Sequence, residues 1–267
     1  MMPIDEEEIA RTIERHEAAT WSACVEAASL GENRLGADLL RRGTWSASVL
    51  AALNFGAFNR VIALGIDEPA TFEDLAAIKE FYRSHAQSRF VIEVTPFSHR
   101  DALLGHGLEP MPARIAKCWR KLDALPPRVE GITLRPLDDA DRDDVASVNR
   151  SAWGLPSFLG PWFAATVGRP GFRHVGVFEG DLLVSTGALY ISDDIAWSGF
   201  VATRPEYRGR GYQFATTIDT LHEAAARGCR LVHTETAAET ANASLRNIVR
   251  AGFTTIYEKE LLTSSEH

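Results

Sequence analysis

Val201-Ala-Thr-Arg-Pro-Glu-Tyr-Arg-Gly-Arg-Gly-Tyr-Gln-Phe214 is the stretch on which the reading of this chain turns. It begins as the end of an apolar strand, breaks at Pro205, passes through a basic, glycine-rich loop and opens a helix. Glycines let a loop backbone approach a ligand closely. The first amides of the helix have no internal partner, and with the helix dipole they suit an anion such as a diphosphate. Arg208 and Arg210 add positive charge. Two other phosphate motifs fail here. A Rossmann loop needs GxGxxG, but Gly209-Arg-Gly211-Tyr-Gln is followed by Phe214, and no GK[ST] of a P-loop occurs.

Around this segment the second half of the chain reads as alternating strands and helices. Residues 132–135 form a short strand. Asp138 or Asp139 caps a helix that runs to about 152, because an Asp side chain accepts first-turn amide hydrogens. A further helical stretch covers 157–167, and 174–178 is a strand. Glu179-Gly180-Asp181 turns it into a partner at 182–190, and 195–203 is a third strand. After the loop, Phe214, Ile218, Leu221 and Ala225 lie on one helical stripe that stops at Gly228. Strand 231–236, helix 242–251, Gly252 and strand 256–262 complete the series.

The first half is predicted to hold a long helix over 6–28, a strand at 57–66 and a helix at 71–84 capped by Thr71 with Asp74. A strand at 90–95, a short helix at 99–104 and a strand at 113–122 follow. Strand, helix, strand, short helix, glycine turn, strand thus occurs at both 58–122 and 197–262, with Gly107-Leu108 in the place of Gly252-Phe253. The tandem prolines Pro126-Pro127 mark a stiff connection. The expected organisation is a domain over 1–125, a linker over 126–131 and a second domain over 132–267.

Composition limits the function classes. The 267 residues suit two domains at ~100–200 residues each. The net charge of −8 disfavours a broad nucleic-acid groove. Cys24, Cys118 and Cys229 are odd in number and form no CxxC pair, so neither a disulfide framework nor a structural zinc is expected. No metal-ligand spacing occurs among the histidines. The acidic run Asp5-Glu6-Glu7-Glu8 is not a secretory leader, and the apolar stretch 47–58 is shorter than the ~20 residues of a membrane span. A cytoplasmic protein is expected, with no membrane or nucleic-acid partner and an oligomeric state that the sequence leaves open.

Segment 201–213, followed by Asn242-Ala-Ser-Leu-Arg-Asn-Ile-Val-Arg-Ala-Gly-Phe253, resembles the GNAT superfamily of acetyl-CoA-dependent N-acetyltransferases. Arg208 and Gly211 match the first fixed positions of its Q/R-x-x-G-x-G/A loop. The helix ending in Gly252-Phe253 matches its closing segment. The resemblance covers about 132–263 and extends faintly over 58–122, where no such loop exists. It implies an α+β fold, a mixed sheet flanked by helices in two similar halves, whose two central strands part to admit coenzyme A. In that fold the backbone of Val201, Ala202 and Thr203 pairs with the pantetheine arm. Arg208, Gly209, Arg210, Gly211, Tyr212, Gln213 and Phe214 surround the diphosphate. Either Asn242 or Asn247 reaches the pantetheine or a phosphate.

Two positions depart from the family pattern. Gln213 stands where Gly or Ala is usual, and Ile248 stands where a general-acid tyrosine is frequent. Leu231, His233 and Glu235 share one strand face, and Glu235 matches a carboxylate used as general base by some family members. Tyr257 is the candidate acid on the thiol side. Tyr190, Asp193, Asp194 and Trp197 surround a hairpin that would rim the acceptor. Trp153, Phe158 and Trp162 lie on the helices that flank the acceptor cleft in the family. The function implied is transfer of an acetyl group from acetyl-CoA to a primary amine. The alternatives are a non-catalytic acyl-CoA-binding module, suggested by Gln213 and Ile248, and a tRNA-dependent aminoacyl-transferase, against which the net charge argues.

Overall fold

The computed structural model describes residues 4–53, 56–239 and 241–264. In chain order the elements are α1 (Ile4–Ser29), β1 (Ala37–Arg42), β2 (Trp45–Leu50), β3 (Arg60–Ile62), α2 (Phe72–Ser84), β4 (Val91–Val94), α3 (Arg100–Leu104) and β5 (Leu108–Lys121). There follow β6 (Leu134–Leu137), α4 (Arg142–Trp153), α5 (Gly160–Ala164), β7 (Phe172–Glu179), β8 (Leu182–Ser192), β9 (Ile195–Thr203), α6 (Tyr212–Ala226), β10 (Leu231–Ala237), α7 (Ala243–Arg250) and β11 (Thr254–Ser264). The fold is α+β, a mixed sheet flanked by helices. The repeated order is present: β3-α2-β4-α3-β5 and β9-α6-β10-α7-β11 have the same succession, with Gly107 and Gly252 both at positive φ before the last strand. Among the described residues no helix is long and apolar enough to cross a membrane.

The described residues fall into two compact units, which do not follow chain order. The first takes those of 1–117, 237–239 and 256–267, and the second those of 118–236 and 240–255. In the first unit the strand order is β1-β2-β3-β4-β11. β3 and β4 are parallel and the other neighbours antiparallel. The hairpin β1–β2 is a correction to the sequence reading, which assigns no strand between 28 and 57. All six residues of β2 are buried, so the alternation that marks a strand is absent there. Residues 54 and 55 of the expected apolar stretch lie outside the described residues. The strand expected over 57–66 shortens to Arg60–Ile62, because Ala63 turns into the left-handed region at φ 65°. Thr71 caps α2 as expected: its hydroxyl accepts from the Asp74 amide, and the Asp74 carboxylate accepts from the Thr71 amide.

The interior of the first unit is unusually ionic. Glu14, Glu17, Glu93, Lys117 and Lys259 are each at most 1% exposed, and Arg60 is 7% exposed. Lys259 Nζ lies 2.9 Å from Glu14 and 2.7 Å from Glu93, Arg60 pairs with Glu93, and Lys117 pairs with Glu17. Three anions are thereby matched by three cations, as burial of charge requires.

In the second unit the order is β10-β9-β8-β7-β6. The pairs β6–β7, β7–β8 and β8–β9 are antiparallel, and β9 and β10 are parallel. Two features of β9 position the site. Its ladder with β10 covers only Ile195–Trp197 against Leu231–His233, while β9 continues to Thr203 and β10 to Ala237. Beyond Trp197 and His233 the two central strands part. On its other edge, Ala202 faces Thr186 and Gly199 faces Ala188, so two residues of β9 oppose one of β8. This bulge holds Phe200 at φ 50° and re-aims the strand end.

Asp138 caps the short 3₁₀ turn Asp139–Asp141 that leads into α4, and Gly154 ends α4 in the left-handed region. The predicted stripe on α6 holds at Ile218 and Leu221. Thr216, Thr217 and Thr220 share the buried face, Thr220 bonding Ser198 at 3.1 Å. Phe214 and Ala225 are only half-buried.

Candidate coenzyme and active site

Pro205 follows the end of β9 and starts a 3₁₀ turn to Tyr207, after which Gly209 and Gly211 take φ 79° and 83°. Such angles cost an L side chain strain, and no heavy atom lies within 4 Å of where a Gly209 Cβ would stand. Gly211 is the N-cap of α6 and has no side chain to occupy the first-turn amides. These amides border a cavity of about 600 Å³. Its walls are Val201, Ala202 and Thr203 from β9, Tyr207, Arg208, Gly209 and Gly211 from the loop, and Tyr212, Gln213 and Phe214 from α6. Asn242, Ala243, Ser244, Asn247 and Arg250 come from α7 and its cap, and Ala152 and Trp153 from α4. Among the described residues no Asp or Glu lines it, in a chain whose net charge is −8.

Every coenzyme residue expected from the sequence lines this cavity except Arg210. Arg210 turns toward Glu179, 3.6 Å away, and its guanidinium lies 4.8 Å from the Tyr207 ring centroid. Glu179 also accepts from the Tyr212 hydroxyl, and this bond raises the Tyr212 pKa. The β7–β8 hairpin thus braces the loop from outside. Arg208 donates to the Ala152 carbonyl at 2.5 Å, placing its charge at the C-terminal end of α4.

The Gln213 departure has a structural account. Its Oε1 accepts from Asn247 Nδ2 at 2.6 Å, so the side chain bridges to α7. Asn242 caps α7, accepting from the Ser244 amide at 2.9 Å, and donates to Thr236 Oγ1 at 2.9 Å. The two asparagines left open by the sequence therefore hold different partners along one wall. Ile248 is buried in the same helix.

Other candidates lie elsewhere. His233 is fully buried and is the last β10 residue paired to β9. Glu235 lies two residues on, half-buried, beyond the point where the strands part. It is not among the residues lining the cavity. Tyr257 belongs to the first unit, is buried, and donates to Glu14. Around Phe200 gather Trp197, Phe163, Trp162 and Trp153, with ring centroids 5.2 to 6.5 Å away. Trp153 and Phe158 remain 45% and 47% exposed. Asp194 pairs with Arg230 at 2.7 Å, and Tyr190 packs on Phe172. Among the described residues no group of three or more His, Cys, Asp or Glu side chains is arranged to hold a metal.

Sequence reasoning missed Tyr207, Ser244 and Arg250 as cavity residues. Arg250 was open to discovery, since it stands three positions after Asn247 and so shares its helical face.

No known family signature matches the chain, and no curated protein matches it. Solved structures do match in fold. A GCN5-related N-acetyltransferase from Kribbella flavida aligns over 94% of this chain and 96% of its own, with TM-score 0.64 and 14% identity. A GCN5-related N-acetyltransferase from Sphaerobacter thermophilus aligns over 94% and 91%, with TM-score 0.58 and 19% identity. A tandem GNAT protein from the clavulanic acid biosynthesis pathway aligns over 99% and 96%, with TM-score 0.60 and 16% identity. The chain therefore has the GNAT fold along most of its length.

Proposed function

We propose that this protein is an acyltransferase that moves an acetyl group from acetyl-CoA to a primary amine. The observation that carries the reading is the cavity at the open N-terminus of α6, with no acid among its described lining residues, bordered by the end of β9 beyond its ladder with β10 and flanked by Arg208 and Arg250. It offers amides and the cation of Arg208 to a diphosphate at one end, and to an amide-rich arm at the other the end of β9, which the ladder with β10 does not cover. The GNAT fold of the solved structures above supports the same reading.

The chemistry is aminolysis of a thioester. The amine nitrogen bonds to the carbonyl carbon, the carbon–sulfur bond breaks, and the thiolate leaves with a proton taken from the attacking nitrogen. The protein has three tasks: to hold the amine in line, to stabilise the oxyanion with an amide of the freed end of β9, and to carry the proton. In this reading Glu235 carries it as general base, directly or through water. Tyr257 is left out of the mechanism, since its hydroxyl is hydrogen-bonded to Glu14 in the first unit.

A panel of primary amines is to be incubated with the protein and acetyl-CoA, with release of free thiol as the readout. Protein-dependent thiol release above the hydrolysis rate is expected for at least one class of amine. Binding of acetyl-CoA with no release for any amine would instead support the binding-module reading, which the buried Ile248 in the tyrosine position favours.

A further inference from the structure

Arg250 is a cation for which the proposed function has so far given no partner. It ends α7, is exposed, and lines the coenzyme cavity. Its guanidinium carbon lies 3.9 Å from the Phe214 ring centroid, so the ring holds it beside the first turn of α6. Among the described residues no carboxylate pairs with it, and the cavity contains none. Arg210, just outside the cavity, does have such a partner in Glu179.

The wall that α7 contributes is ordered. Asn242, at its start, bonds Thr236 on β10. Asn247, further along, bonds Gln213 at the α6 N-terminus. Arg250 lies one turn beyond, ~4.5 Å further along the axis at 1.5 Å per residue. Coenzyme A has an order of its own: thioester, amide-bearing arm, diphosphate, then a ribose with a separate 3′-phosphate. With the diphosphate at the α6 amides, level with Gln213 and Asn247, and the arm running toward Asn242 and β9, the nucleotide end falls on the Arg250 side. The second anion of the ligand then meets the second cation of the cavity.

Resting on the coenzyme reading above, we infer that Arg250 binds the 3′-phosphate and makes the site selective for coenzyme A over 3′-dephospho-coenzyme A. The phosphate is a dianion and the guanidinium a planar fork that suits it. The stack on Phe214 orients that fork in advance, so less side-chain entropy is lost on binding.

The test is calorimetric titration of the full chain with coenzyme A and with 3′-dephospho-coenzyme A, for the natural protein and for Arg250→Gln. The natural protein is expected to bind coenzyme A about ten-fold more tightly, the order of a charge-assisted hydrogen bond at a partly solvated site. Arg250→Gln is expected to lose about ten-fold for coenzyme A and to stay within about two-fold for the dephospho form, with an unchanged melting temperature. Arg250→Lys should recover part of the preference, since the charge remains and the fork is lost. Equal affinity of the natural protein for the two ligands would overturn the inference while leaving the coenzyme reading standing. So would an equal loss for both in Arg250→Gln, which would place the arginine on a part that both ligands share. Absence of binding of either ligand to the natural protein would overturn the coenzyme reading itself, and the inference with it.

Discussion

At the scale of single residues, Gln213 shows how a departure from a motif is absorbed. A glutamine at the second position of α6 has a long side chain where the proposed coenzyme's phosphate would approach, and the hydrogen bond to Asn247 carries it to α7. The motif alone leaves its direction open, because the partner lies 34 residues away. Glu235 is the residue on which turnover should depend. Once an acceptor is known, Glu235→Gln should bind acetyl-CoA normally and turn over at least ~10²-fold more slowly at neutral pH, with the deficit shrinking in alkali as solution deprotonates the amine. Near-normal steady-state rates for this variant, with a slow His233→Gln, would move the base to the neighbour.

His174 supplies a pH prediction. It is buried on β7 with Nε2 3.0 Å from the Thr166 hydroxyl, and burial, helped by the charge of Arg142, lowers its pKa from 6.5 to about 4. The folded protein keeps this imidazole neutral while the unfolded chain takes a proton below about 6.5. Between these values the unfolded state binds more protons, so stability falls as pH drops from 6.5 toward 4 and is unaffected by this group above 6.5. At ~1.4 kcal/mol per pH unit the loss reaches about 3 kcal/mol. In urea unfolding at pH 7 and pH 4, His174→Asn should lose about 3 kcal/mol less than the natural protein. Identical losses would show that His174 does not carry the effect.

At the scale of elements, local rules made most of the second unit legible. The Asp138 cap, the Gly228 stop, the β7–β8 hairpin and the strand–loop–helix beside the cavity are written in adjacent residues. The residues that line the cavity were legible for the same reason, being nearly contiguous in 201–214 with two asparagines on one helix and its cap. Arg210 shows the limit of that reasoning: it stands in the motif, but Glu179, distant in sequence, pairs with it and draws it away, and no local pattern announces that pairing. The β1–β2 hairpin was hidden for a different reason. A strand buried along its whole length carries no period-2 signal, and its Trp-Ser-Ala-Ser-Val-Leu composition suits several environments. The bulge at Phe200, on the β8 side of β9, has no glycine at its left-handed position and so no sequence mark.

At the scale of the whole molecule, two stretches of the chain repeat an order of elements but differ at the helix that matters. In the second unit, Gly211 leaves the first amides of α6 open, and no acid stands in the first turn. In the first unit, Thr71 and Asp74 cap α2 with their own side chains, and Glu73 and Asp74 put negative charge in that turn. An anion is welcome at the first helix end and repelled at the second. The central claim is therefore one coenzyme site per chain, at α6. Its most direct test is calorimetric titration of acetyl-CoA into the natural protein, Gly211→Asp and Gly107→Asp. Gly211 and Gly107 are matched for backbone, with φ 83° and 76° and room for a Cβ at both, so their folding costs should be alike. The natural protein should bind one acetyl-CoA per chain and gain ~2.7 kcal/mol of stability at ~100 times its dissociation constant. Gly107→Asp should bind as the natural protein does, and Gly211→Asp, though folded, should not bind. Two sites per chain, or undiminished binding by folded Gly211→Asp, would contradict the account.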